Sequence, residues 1–361
     1  MSVYNFSPGP AVLPEAVKQQ IADDVPNWRD SGVSVMEVSH RGAAFRQLVD
    51  ETDALLRELL DIPGHYHVLF MPGGARLQYS MLPMNFARQD QQAVYFVQGH
   101  WGKDAIREAG KFCRAEPLVP YAADRPYAEI PAHDFDKITP HTAYFHYTPN
   151  ETLEGIEWHE YPSVPHQVPV VADMTSNILS RPLDVTRFGV IYSSAQKNLG
   201  IAGITLGIVR GDLLDRAPAG LPQMLDYRTY ANSQSLHNTP PAFPWYVTNL
   251  VLHWLKQEGG LEVMDQRNRR KSDLLYKFID ASGFYHNPVR PAHRSRMNVP
   301  FWLADESLND LFLSESQAAG LLALKGHRFV GGMRASLYNA MPLEGVLALI
   351  DFMREFERRH G

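Results

Sequence analysis

The chain has 361 residues, is 45% hydrophobic and carries a formal net charge of -6. That length and apolar content allow a large core and two domains, while the acidic balance argues against nucleic acid as the main partner. A single cysteine, Cys113, excludes an intrachain disulfide and the usual zinc patterns.

The first residues, "MSVYNFSPGPAVLPEAVKQQ", lack a basic segment followed by an apolar one, and no apolar run approaches membrane-spanning length. A soluble cytoplasmic protein is expected. From about residue 66 to 210 the chain alternates short apolar runs with helical or loop segments. The runs are "YHVLFM", "QAVYFV", "TAYFHY", "VPVVADM", "FGVIYSS" and "ITLGIVR". They are nearly continuous in apolar residues, as strands buried on both faces are. A helix is predicted over 103–112. The expected class is α/β, a large domain with a mostly parallel central sheet. A long helix is predicted over 244–256, ending at Gly259-Gly260, where a domain boundary is placed. Beyond it the pattern is mixed α and β: "SRMNVPFWL" as a strand, Ser314 with Gln317 as a capping box opening a helix, and a last helix over 342–358. The large domain is assigned to 15–257. The smaller α+β C-terminal domain takes 258–361 together with the Pro- and Gly-rich residues 1–14.

In a parallel α/β sheet, ligands bind beyond the carboxyl ends of the strands. There the runs deliver Pro72-Gly73-Gly74-Ala75-Arg76, Gln98-Gly99-His100-Trp101-Gly102, Thr148-Pro149-Asn150-Glu151-Thr152, Asp173-Met174-Thr175-Ser176 and Gln196-Lys197-Asn198. The Gly73–Arg76 turn is a helix start with small residues, where backbone N–H groups can approach a phosphate; many tight turns share that composition. Trp101 can stack on a flat heterocycle or fill a core. Asp173 can cap a helix, the commoner role, or face a buried cation. Lys197 decides between these readings, because it lies between two core strands rather than in an ordinary surface turn. An amine among apolar or cationic neighbours becomes a nucleophile for aldehydes. A lysine, an acidic partner for a pyridinium nitrogen, a stacking aromatic and a phosphate turn together describe a pyridoxal 5'-phosphate site. There is no G-x-G-x-x-G opening a helix, no Walker-type loop and no H-E-x-x-H. His65 and His67 read as a loop and a strand start.

The segments "SVMEVSHRG", "PNET", "ILSRPLDV", "GVIYSSAQKNLG", "NTPP", "SRMNVPF" and "ALKGHRFVGGMRASLYNAMPLEGV" resemble the phosphoserine aminotransferases over essentially the whole chain. The resemblance implies the fold type I aminotransferase architecture, pyridoxal phosphate and a homodimer. By it, Lys197 binds the cofactor covalently and Asp173 pairs with the pyridinium nitrogen. Trp101 stacks on the ring, and Thr152 contacts the ring hydroxyl. Ala75, Arg76 and Gln196 hold the phosphate, with Asn238 and Thr239 reaching it from the other subunit. His40, Arg41, Arg76, His327, Arg328 and Arg334 take the substrate's anionic groups. The implied reaction moves the amino group of L-glutamate to 3-phosphohydroxypyruvate, giving O-phospho-L-serine and 2-oxoglutarate. In many bacteria the family also aminates a phosphorylated four-carbon 2-oxo acid on the way to pyridoxine. The basic residues exceed what one carboxylate needs, which favours a phosphorylated substrate. Two positions depart from the family pattern: Pro8 stands where a second serine is expected and offers only its carbonyl, and Ala75 replaces a third glycine while keeping its N–H. Three other readings stay open: a related aminotransferase acting on alanine or serine with glyoxylate, a cysteine desulfurase, and a non-catalytic pyridoxal-phosphate-binding protein. Cys113 lies on the predicted helix ahead of the cofactor strands, which argues against the desulfurase.

Overall fold

In the computed structural model, which describes residues 2–119 and 128–361, the six apolar runs lie in one seven-stranded sheet. Its strands are β1 (Tyr66–Gly73), β2 (Gln92–Tyr95), β3 (Arg114–Pro117), β4 (Phe145–Tyr147), β5 (Val170–Asp173), β6 (Val190–Ser194) and β7 (Gly203–Arg210). Their order across the sheet is β1-β7-β6-β5-β4-β2-β3. Only β7 is antiparallel to its neighbours. The other six strands therefore send their carboxyl ends to one edge. β3 has no apolar run to announce it. It is a short edge strand, "RAEP", with an ion pair between Arg114 and Glu116 (2.8 Å), the charged kind of edge that discourages further pairing.

Outside the charged edge strand β3, alternate residues of the strands feed two separate apolar layers. Phe70, Phe145, Ala172, Ile191 and Leu206 pack with Phe45, Leu56, Trp245 and Leu252, from the helices Ala43–Leu60 and Ala242–Gln257. Leu69, Met71, Val171, Val190 and Tyr192 pack with Tyr79, Leu82 and Ala105, from the helices Ala75–Phe86 and His100–Ala109. Burial on both faces explains the unbroken apolar runs.

A third apolar cluster lies under an antiparallel sheet of Tyr285–His286, Asn298–Leu303 and Met333–Ser336. It takes side chains from the helices Gly260–Ala281, Asn309–Ala318 and Leu343–His360, and from Phe6. Tyr4–Asn5 pairs in parallel with Leu321–Leu322. Within Gly260–Ala281, the buried Lys271 amine donates to the carbonyls of Leu337 (2.7 Å), Tyr338 (2.8 Å) and Met341 (3.0 Å). It fixes the turn after the last strand.

The predicted capping box is not formed. Helix Asn309–Ala318 starts ahead of Ser314, whose hydroxyl donates back to the carbonyl of Leu311. Asp305 caps the preceding helical turn instead. The helix predicted over 103–112 runs from His100 to Ala109. Its start is drawn forward by carboxylates from outside the segment, which local pattern does not report.

One turn decides how the two apolar bodies meet above the strand ends. The ladder Asn150–Glu151 with Ile156–Glu157 closes through Gly155, at φ +71°. A Cβ there would lie 2.3 Å from Pro300 Cδ, on the strand Asn298–Leu303. Glu157 also holds Arg296 (3.0 Å), which reaches Asp265 (2.7 Å). Gly155→Ala meets both a backbone penalty and a rigid neighbour, so it is expected to cost about 2 kcal/mol or more in urea unfolding. An unchanged midpoint would mean that the turn and the strand are not in contact.

Candidate active site

Five strand ends converge on a cavity of about 550 Å³ lined by Gly74, Ala75, Arg76, Tyr79, Trp101, Thr148, Thr152, Asp173, Thr175, Ser176, Ser194, Gln196, Lys197, His327 and Arg334, with Pro8 and Gly9 from the N-terminal segment. Of the sequence-predicted residues, Ala75, Arg76, Trp101, Thr152, Asp173, Gln196, Lys197, His327 and Arg334 meet here. Asn238, Thr239, His40, Arg41 and Arg328 do not line the cavity of their own chain. Asn238, Thr239, Arg41 and Arg328 are exposed instead.

Lys197 follows β6 and is 8% exposed. Its Nζ lies 2.7 Å from Thr152 Oγ1 and 2.9 Å from Ser176 Oγ, and these two hydroxyls are 2.5 Å apart. Burial brings the amine down to about 7, helped by the Arg334 charge and opposed by Asp173 and Glu151. The neutral, nucleophilic form is therefore well populated near neutral pH. The flanking amides have structural work. Asn198 donates to the carbonyl of Ile178 (3.0 Å) and accepts the N–H of Asn339 (3.0 Å). The Gln196 carbonyl accepts the N–H of Ala11 (2.8 Å), and its side chain takes a very short hydrogen bond from Ser194.

Asp173 ends β5, 4% exposed. Its Oδ1 accepts from Thr175 N–H (3.0 Å) and Oγ1 (2.5 Å), and its Oδ2 from the Tyr79 hydroxyl (3.3 Å). Burial pushes its pKa up, the Thr175 hydrogen bonds and the Lys197 charge acting against it. None of its hydrogen-bond donors is a cation, so a protonated ring nitrogen fits its open charge. Helix Ala75–Phe86 begins at the same edge with no side-chain cap and no acidic residue in its first turn. Ala75 is not among the positive-φ residues, so it presents its N–H as an ordinary first helical residue. That terminus suits a phosphate. Trp101 lines the same cavity beneath the Arg76 guanidinium, its indole N–H buried without a partner. These groups fit pyridoxal phosphate.

Arg334 lines the same cavity and is 4% exposed, and its Nε and Nη1 have no partner. Free donors on a buried guanidinium suit an anionic group. Burial also draws the Arg334 and His327 pKa values down. Arg76 instead holds Asp104 at 2.9 Å and lies over the Trp101 ring at 5.7 Å. The Pro8 carbonyl is already engaged, accepting the Tyr338 hydroxyl at 2.8 Å. Sequence reasoning missed Tyr79, Ser176 and Tyr338. The first reads as helix core, and the other two sit in loops whose packing partners are remote in the chain. No cluster of metal-ligating side chains occurs among the described residues.

Residues 3–349 match the aminotransferase class-V family. The phosphoserine aminotransferase of Acidithiobacillus ferrooxidans is 51% identical, over 100% of this chain and 99% of that protein. The solved phosphoserine aminotransferase of Bacillus circulans subsp. alkalophilus superposes with a TM-score of 0.95 at 43% identity, covering 100% of this chain and 99% of that one. The phosphoserine aminotransferase with bound pyridoxal phosphate from Trichomonas vaginalis superposes with a TM-score of 0.92 at 39% identity, covering 98% of this chain and 100% of that one. The chain belongs to the aminotransferase class-V family, in its phosphoserine aminotransferase branch.

Proposed function

We propose that the Lys197 cavity transfers the amino group of L-glutamate to 3-phosphohydroxypyruvate, releasing 2-oxoglutarate and O-phospho-L-serine. The observation that carries this assignment is the near-neutral, buried Lys197 amine beside Asp173, in a cavity that also holds the unpaired Arg334 guanidinium. Pyridoxal phosphate, when bound, supplies an electron-accepting ring for the charge left on the substrate's α-carbon. Asp173 holds the proton on the ring nitrogen. Thr152 and Ser176 orient Lys197 Nζ, which takes the substrate α-proton as general base and returns it as general acid. The N–H groups at the start of Ala75–Phe86 hold the cofactor phosphate, together with Gln196. Trp101 covers one ring face. Arg334 binds the α-carboxylate that both substrates share.

The same proposal divides the chain into a large domain, 15–257, and a smaller one of 1–14 and 258–361. The separate apolar cluster around Phe6, Phe312 and Met333 supports it. It also makes the working unit a homodimer with shared sites. His40, Arg41, Asn238 and Thr239 serve the cavity of a second copy. Exposed Val33 and Met36 beside the His40 segment give that segment apolar surface to bury.

Lys197→Ala is expected to abolish turnover and the borohydride-fixed pyridoxyl label. Labelling of another lysine in the wild-type protein, found by peptide mapping, would refute the assignment. The capture step should follow the amine's titration. The rate at which cofactor-free protein takes up pyridoxal phosphate should rise through about pH 7 and flatten above it, because the neutral amine attacks and the folded pKa is about 7. A rate that falls across that window would contradict a near-neutral amine.

Phosphohydroxypyruvate should exceed unphosphorylated hydroxypyruvate by at least about a thousandfold in kcat/KM, since losing two or three charge-assisted hydrogen bonds costs about 4 kcal/mol or more. Comparable rates would remove the case for a phosphorylated substrate. Subunit exchange tests the shared site. Mixing Lys197→Ala with Arg41→Ala should restore about a quarter of wild-type activity, because half the dimers are mixed and each has one intact site. No recovery after exchange proven by a tag would place Arg41 in its own chain's site or outside it.

A further inference from the structure

The turn 150–157 carries three acidic side chains that the proposed reaction does not use; Glu157 holds Arg296, and the other two turn to a helix start. Glu151 is fully buried and Glu154 is 6% exposed. Both aim their carboxyls at the start of helix His100–Ala109, which has no side-chain cap from its own Gly99. Glu151 Oε2 accepts the Trp101 N–H at 3.1 Å, and its Oε1 accepts the Gly102 N–H at 2.9 Å. Glu154 Oε1 accepts the His100 N–H at 2.9 Å. The first three helical N–H groups are thus closed by carboxyl oxygens supplied from more than forty residues away.

The chain makes room for this contact. A Cβ at Gly99 would sit 2.5 Å from Glu151 Cγ and Cδ, and one at Gly102 would sit 3.4 Å from Glu151 Oε1. Side chains at Gly99 would push Glu151 out. The contact acts on Trp101 in a specific way. The indole N–H has no partner, so no hydrogen bond of the ring itself sets its angle. The backbone that carries the ring is instead gripped at two successive N–H groups by one carboxyl.

We infer that Glu151 is a positioning residue that sets the Trp101 ring against the cofactor. The inference rests on the proposed role of Trp101.

Glu151→Gln keeps the side chain's size but turns one acceptor into a donor facing a backbone N–H. In the holoenzyme it is expected to speed cofactor loss on gel filtration at least about tenfold. The circular dichroism of the visible band should weaken at equal occupancy. In a Trp101→Ala background the same substitution should change cofactor loss by less than about twofold, since its effect passes through the ring. Full additivity in that cycle would overturn the inference, because Glu151 would then act on the fold alone. Should Glu151→Gln fail to fold, Glu151→Asp keeps both oxygens and runs through the same cycle. It is expected to couple to Trp101 in the same sense, and additivity would again overturn the inference. The site assignment fails separately: if Trp101→Ala alone leaves cofactor retention and the visible dichroism unchanged, the ring does not contact the cofactor.

Discussion

The arrangement depends on keeping an amine out of water. An ammonium as buried as Lys197 is costly to desolvate, and the structure answers by letting the group become neutral near pH 7 rather than by pairing it tightly. Its nearest partners are two hydroxyls, which accept from the amine in either protonation state and so do not fix its charge. A close carboxylate would have locked it as an ammonium. Burial draws Lys271 down to about 7 as well, and the difference is in its donors, which it spends on backbone carbonyls and so serves the fold. Burying a lysine loop also strands backbone groups. Asn198, Asn268 and Asn339 resolve this by bridging the carbonyls of Ile178, Leu179 and Ser180 to the turn after the last strand.

The second constraint is electrostatic polarity along the strand edge. Two helices start there, both after glycine and both without a cap of their own. One has its N–H groups filled by glutamates and the other presents them to the cavity. Burial pushes Glu154 up to about 7 and Glu151 upward as well, against the backbone donors and, for Glu154, the Arg334 charge. Glu151, which helps fix that helix, thereby contributes to the field in which Lys197 titrates.

The central sheet was legible because its strands are buried on both faces, and continuous apolar runs are a one-dimensional trace of that. The lysine, the aspartate and the uncapped turn were legible because each follows such a run directly. Other features depend on contacts that local pattern does not carry. Ser314 and Gln317 have capping-box spacing, yet the helix was already under way at Asn309. Tyr79 looks like core because its ring is core, and only its hydroxyl reaches Asp173. Ser176 is one small polar residue among several, and what distinguishes it is the 2.9 Å approach of Lys197. Glu151 and Glu154 look like ordinary turn acids until the helix they cap is placed beside them.

In the proposed reaction, Arg334 and Arg76 would let one site hold two anions of different size. Arg334 is fixed by burial on the strand Met333–Ser336 and keeps two donors free, so it suits the α-carboxylate common to both substrates. Arg76 is more than half exposed, and its guanidinium already holds Asp104, which also holds Arg107 at 2.8 Å. A rigid fork for the shared group and a long, solvated arm for the variable one is a division that different distal anions require. With Asp104 sharing its charge between two arginines, Arg76 can turn toward a phosphate or a carboxylate without leaving a buried carboxylate unpaired. His327 lines the same cavity and is held near neutrality by burial, so it adds a hydrogen-bonding group there without adding a full charge.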